Sequence, residues 1–72
     1  MVDIKKLKAA IVEKGTTIEE VAAATEMSQS TLYRRLSSGG GSFTLRDVAK
    51  ISAFLGLSST RMNEIFFAEE VA

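Results

Sequence analysis

The sequence predicts an all-α fold, a compact domain of five short helices that spans residues 1–72. Apolar residues recur at intervals of three and four in five separate stretches, and a Ser, Thr or Asp precedes each stretch as a potential N-cap. No stretch shows the alternation of a half-buried strand. With 46% hydrophobic residues in 72, the chain has enough apolar side chains for one small core.

The first helix is predicted from Asp3, which can cap it, to Gly15, which can adopt the left-handed conformation that ends a helix. Ile4, Leu7 and Ile11 recur along one face of this segment and are expected to face the core.

The second and third helices are predicted to follow each other closely. Thr17 and Glu20 have the spacing of a capping box for a helix from Ile18 to about Thr25. Ser28 is the natural cap of the next helix, which should run to about Leu36. The expected inward positions of the pair are Ile18, Val21, Ala22, Leu32 and Leu36.

Three consecutive glycines, residues 39–41, predict a loop between the third and fourth helices. Thr44 begins a fourth helix that ends at Gly56, and Ser58 or Ser59 caps a fifth. The fourth helix is predicted from the spacing of Leu45, Val48, Ile51, Ser52 and Leu55, and the fifth from Met62, Ile65 and Phe66.

Phe66 and Phe67 are adjacent, so a single helix cannot bury both on one face. One is expected in the core. The other, with Val71, is a candidate contact for a homodimer formed through the C-terminal segment.

The composition excludes several classes of function. The chain has neither Cys nor His, which removes disulfides, thiolate metal sites and the usual general base. We therefore expect no enzyme, no metal and no cofactor. No apolar run approaches the ~20 residues of a membrane span, and no secretion signal is recognisable. A cytoplasmic protein without membrane contact is expected.

The charges cancel, nine basic against nine acidic, but they are segregated along the chain. Residues 15–26 carry only the acidic Glu19, Glu20 and Glu26. Residues 27–50 carry two arginines in the third helix and two further cations against a single Asp. Interaction surfaces should therefore be local and of opposite sign.

The segment from Thr17, TIEEVAAATEMSQSTLYRRLSSG, resembles the helix-turn-helix of the phage Cro and repressor (XRE-like) class at about residues 17–36. The stretch SFTLRDVAKISAFLGLSSTRMNEIFF is similar to that family's fourth and fifth helices. The beginning and end of the chain look like those of small Cro-like or repression-modulating proteins of temperate Gram-positive phages. The resemblance implies a regulator of a lysis/lysogeny switch that binds double-stranded operator DNA.

Helical geometry indicates which side chains of the third helix would contact DNA. The small side chain of Ala22 lets the second and third helices approach closely. The third helix can then project into a major groove about 12 Å wide. Gln29 and Arg34 suit adenine and guanine respectively. Counted from Ser28, the outward positions are Gln29, Ser30, Tyr33 and Arg34, and Thr31 and Arg35 at the edge suit phosphate contacts.

A second hypothesis starts from Glu26, which occupies a turn position where the family usually has Gly because the backbone is often left-handed. Glu there costs ~1 kcal/mol unless the turn differs. With Glu19 and Glu20 it forms an acidic shoulder that would repel phosphates. The alternative function is an antirepressor or modulator of repression that binds a phage repressor protein through Glu19, Glu20, Glu26, Gln29, Tyr33 and Arg34.

Overall fold

The computed structural model describes residues 2–39, 41 and 43–67 and confirms the all-α prediction. The described residues form five helices within 34 × 23 × 20 Å. They are α1 (Ile4–Lys14), α2 (Ile18–Ala24), α3 (Gln29–Ser37), α4 (Leu45–Leu55) and α5 (Ser59–Phe66).

Each helix begins at a side-chain cap. The caps are Asp3, Thr17, Ser28, Thr44 and Ser58, and the side chain of each accepts a hydrogen bond from the backbone N–H three residues later. These bonds satisfy donors that a helix start leaves unpaired. The chain then folds back after α1 and α4 through left-handed glycines, Gly15 and Gly56, as predicted.

The capping box predicted at α2 forms only in part. Thr17 Oγ1 accepts from the Glu20 N–H at 3.2 Å. Glu20 does not complete the reciprocal bond, because its carboxylate instead accepts a 2.6 Å hydrogen bond from the Thr16 hydroxyl. The complete capping box is at α4, where Thr44 and Asp47 satisfy each other's backbone N–H groups.

The core lies where the five helices meet. α2 packs against α3 and α4, and α1 packs against α4 and α5. Every helix contributes one of the five largest fully buried side chains, which are Leu7, Val21, Leu32, Ile51 and Ile65. α3 is therefore held at one side of the bundle, chiefly through α2.

Of two predictions about apolar side chains, the one for Phe66 and Phe67 is confirmed and the one for Leu45 is wrong. Phe66 is buried at 3% exposure and Phe67 is 49% exposed, so one of the pair packs in the core as predicted. Leu45, expected to continue the inward face of α4, is 76% exposed because it occupies the first turn, beyond the packed part of the helix. Val71 lies outside the described residues.

No helix in the described part of the chain combines the length and apolar character needed to cross a bilayer.

Candidate nucleic-acid interface

The turn between α2 and α3 fixes how α3 projects. Ala22 is 1% exposed, and its carbonyl accepts from the Met27 N–H at 2.9 Å across the turn. Thr25 is also buried, and its hydroxyl donates to the carbonyls of Val21 and Ala22 at 2.9 and 3.2 Å. Because all three hydrogen bonds form within residues 21–27, this segment itself fixes the conformation of the turn. Thr25 was not among the predicted inward positions.

Glu26 adopts the left-handed conformation, with φ 59°. The turn is thus the one that favours glycine, and the sequence places a residue with a Cβ there. The Glu26 side chain is 84% exposed, and its carboxylate lies 3.9 Å from Lys50 Nζ. Such an exposed pair contributes little stability.

The first turn of α3 presents polar groups to solvent. Ser28 Oγ accepts from the Thr31 N–H at 3.1 Å and donates to Thr31 Oγ1 at 2.8 Å, so the Thr31 hydroxyl is tied to the cap. Gln29 and Ser30 are exposed and Thr31 is half-buried. Helix N-termini favour anionic groups, because the unpaired N–H groups and the positive end of the helix dipole both face a group bound there.

The rest of α3 divides into a buried and an exposed face. Leu32 and Leu36 pack in the core. Tyr33 and Arg34 are exposed, and Arg35 is half-buried at the boundary. Arg34 and Gln29 thus lie on a free helix surface, as a side chain that contacts a base edge must.

Arg35 has an internal partner that the sequence did not reveal. Its guanidinium donates to Asp47 Oδ2 at 2.6 Å and contacts Met27 Sδ at 3.7 Å. Burial disfavours the charged form of Asp47, but the N–H and hydroxyl of Thr44 and the Arg35 cation outweigh it and lower the pKa of Asp47. The phosphate contact of Arg35 stays a prediction. The guanidinium that would make it is already bonded to Asp47 on α4.

Tyr33 is also engaged within the chain. Its hydroxyl donates to Glu19 Oε1 at 3.1 Å, which connects α3 to the first turn of α2. The backbone N–H of Glu19 and, second, the Tyr33 hydroxyl stabilise the carboxylate and lower the pKa of Glu19. The hydrogen bond to that carboxylate, and repulsion by its charge, raise the pKa of Tyr33. The residues are fourteen positions apart, so no local pattern announces the contact.

A family model described as helix-turn-helix matches residues 7–61. The chain belongs to this helix-turn-helix family. No curated protein and no solved structure matched the chain.

The helix-turn-helix family is one of DNA-binding regulators that are generally not enzymes. Within the matched residues, α2, α3 and the turn between them form the helix-turn-helix unit. In motifs of this kind the second helix is the one that enters the major groove. The matched region contains all the predicted site residues, from Glu19 to Arg35. Their individual roles in binding stay predictions.

Proposed function

We propose that this chain is a small transcription regulator of a phage lysis/lysogeny switch that reads operator DNA through α3. The observation that carries the proposal is the exposed surface formed by Gln29, Ser30 and Arg34 on a helix whose opposite face is buried in the core. Arg bidentate to guanine and Gln bidentate to adenine are geometrically favoured pairs in the major groove. The phage context rests on the resemblance of the motif and the flanking segments to that class.

The roles on α3 follow from exposure. Gln29, Ser30 and Arg34 contact base edges, and Thr31 and Arg35 contact phosphates at the edge of the groove. Tyr33 lies at the backbone side, toward α2. Phosphate contacts give affinity and register, and base contacts give sequence preference.

The test is fluorescence anisotropy with duplexes tiled across the regulatory region beside the chain's own gene, compared with a scrambled duplex. Arg34→Ala and Gln29→Ala should each lose about 1–3 kcal/mol on the preferred duplex and relax its sequence preference. Lys5→Ala, which removes an exposed charge from α1, is the matched control and should retain the preference. If no tiled duplex binds better than the scrambled one at low salt, the proposal fails.

A second candidate is a modulator that binds a repressor protein. The exposed carboxylates of Glu19, Glu20 and Glu26 beside the exposed Gln29, Tyr33 and Arg34 support it, because basic residues of a repressor's DNA-reading helix would pair with them. Co-purification with the repressor encoded alongside separates the two. Reversing the charges of Glu20 and Glu26 should abolish that complex if the carboxylates form the interface.

We further propose that the regulator pairs with a second copy of itself. Exposed Leu45 and Phe67 border a hollow of about 490 Å³ whose other apolar lining is Val2, Phe43, Val48 and Phe66. An apolar side chain that protrudes beside an apolar hollow can fit the same surface of a second copy related by a two-fold axis. A dimer would present two α3 helices to the two halves of a palindromic operator.

A further inference from the structure

The contact between Tyr33 and Glu19 occupies the surface where the motif would meet the DNA backbone. Tyr33 lies one helical turn after Gln29, on the same side of α3. Its hydroxyl reaches the carboxylate of Glu19 at 3.1 Å. Both residues are exposed, so the contact forms in competition with water and is open to other acceptors.

In the docking geometry of helix-turn-helix motifs, this pair would lie beside phosphates. When the second helix of such a motif enters the major groove, the first crosses the DNA backbone. Glu19 is in the first turn of α2 and its carboxylate contacts α3 through Tyr33, so docking of α3 in the groove would bring it near the DNA backbone. A phenol has one proton to donate, so Tyr33 Oη–H cannot serve Glu19 and a phosphate oxygen at the same time.

We propose that Glu19 is an internal competitor of the DNA phosphates for the Tyr33 hydroxyl, and that it thereby lowers affinity for all duplexes alike. The inference rests on the proposed DNA binding. The Glu19 carboxylate, like a phosphodiester, carries one negative charge shared between two acceptor oxygens. Its hydrogen bond from Tyr33 must break before the hydroxyl can donate to a phosphate. Because phosphates carry no sequence information, the restraint is equal on operator and random DNA.

The neighbouring Glu20 provides an internal comparison. It is also exposed, carries the same charge and also lies in the first turn of α2. Its carboxylate accepts from Thr16, which precedes the motif's first helix, and α3 is not involved. Removing Glu20 therefore reports the loss of one negative charge near the DNA without the release of Tyr33.

The experiment measures the affinity of Glu19→Ala, Glu20→Ala, Tyr33→Phe and Glu19→Ala/Tyr33→Phe for the operator and scrambled duplexes at one salt concentration. Glu19→Ala should tighten binding to both duplexes by about three- to tenfold, as expected for the loss of a competing hydrogen bond and a like charge. Glu20→Ala should give a smaller gain. In the Tyr33→Phe background, the gain from removing Glu19 should fall to the Glu20→Ala level.

Three results overturn the competition while leaving DNA binding intact: equal gains from the two alanine variants, a full gain in the Tyr33→Phe background, or a gain confined to the operator. Failure of the wild-type chain to bind any duplex instead overturns the proposed function, and the competition with it. Circular dichroism melting of each variant separates loss of fold from loss of binding. An NMR titration of the free protein checks the contact itself, since the Tyr33→Phe change should raise the pKa of Glu19 toward its ordinary value.

Discussion

Among the residues that the structure describes, Glu26 is the one non-glycine residue with a left-handed backbone. A left-handed conformation costs a residue with a Cβ roughly 1 kcal/mol or more, a cost that glycine does not bear. We predict that Glu26→Gly raises the free energy of unfolding by about 1 kcal/mol, measured by urea denaturation. The gain should be partly offset because glycine also gains freedom in the unfolded chain.

Glu26→Gln is the control for this prediction, because it removes the charge and keeps the Cβ. Since the pair with Lys50 is long, at 3.9 Å, and exposed, the free energy of unfolding should change by less than about 0.5 kcal/mol. A glycine variant no more stable than the glutamine variant would contradict the prediction, because the relief of the left-handed conformation would then not exceed the entropy cost of glycine.

At the scale of elements, one carboxylate joins a side chain of α3 to the start of α4. Asp47 accepts from Arg35 on α3 and from the Thr44 N–H at its own helix start, at 2.6 and 3.0 Å. These donors lower its pKa in the folded protein. The stabilisation is therefore complete above the pKa of an unfolded aspartate, about 3.9, and is lost as the pH falls through the lower folded value.

We predict that Asp47→Asn lowers the free energy of unfolding by about 1–2 kcal/mol at neutral pH and flattens its decline below about pH 4. Urea denaturation across a pH series measures both effects. Glu13→Gln, at the exposed pair with Arg61, is the control and should cost less than about 0.5 kcal/mol. An unchanged acid dependence in Asp47→Asn would assign that dependence to other carboxylates.

The elements themselves were predictable from the sequence, because every helix start and the ends of α1 and α4 are encoded within four residues. Caps such as Ser28 and left-handed glycines such as Gly15 act locally. The contacts of Arg35 and Tyr33 were not predictable, because their partners Asp47 and Glu19 are brought near only by packing of separate helices. Sequence reasoning identified the exposed surface of α3 but not which of its side chains are already bonded within the chain.

For the whole molecule, the cancelled charges and the apolar hollow bear on how DNA is bound. A single copy has no net charge and therefore gains little long-range electrostatic attraction to DNA. Binding by two paired copies would thus raise the affinity for DNA more than it does for a domain that is already basic. The hollow bordered by Leu45 and Phe67 is the surface proposed for that pairing.

We predict that Phe67→Glu shifts the chain toward the monomer in sedimentation velocity and weakens operator binding. A charge placed on an apolar interface must be desolvated when the copies meet. Val12→Glu, at a 75% exposed valine on α1, is the matched control and should leave the sedimentation profile unchanged. A wild-type chain that sediments as a monomer at every concentration tested would refute self-association.

The Asp3 N–H donates to the Ile65 carbonyl at 2.7 Å, which brings the start of α1 beside the last turn of α5. A short peptide linker from the end of α5 back to Asp3 would therefore close the backbone into a ring with little distortion. Such head-to-tail cyclisation would restrict the denatured chain more than the native one, and the ring should melt at a higher temperature with its α3 surface unaltered.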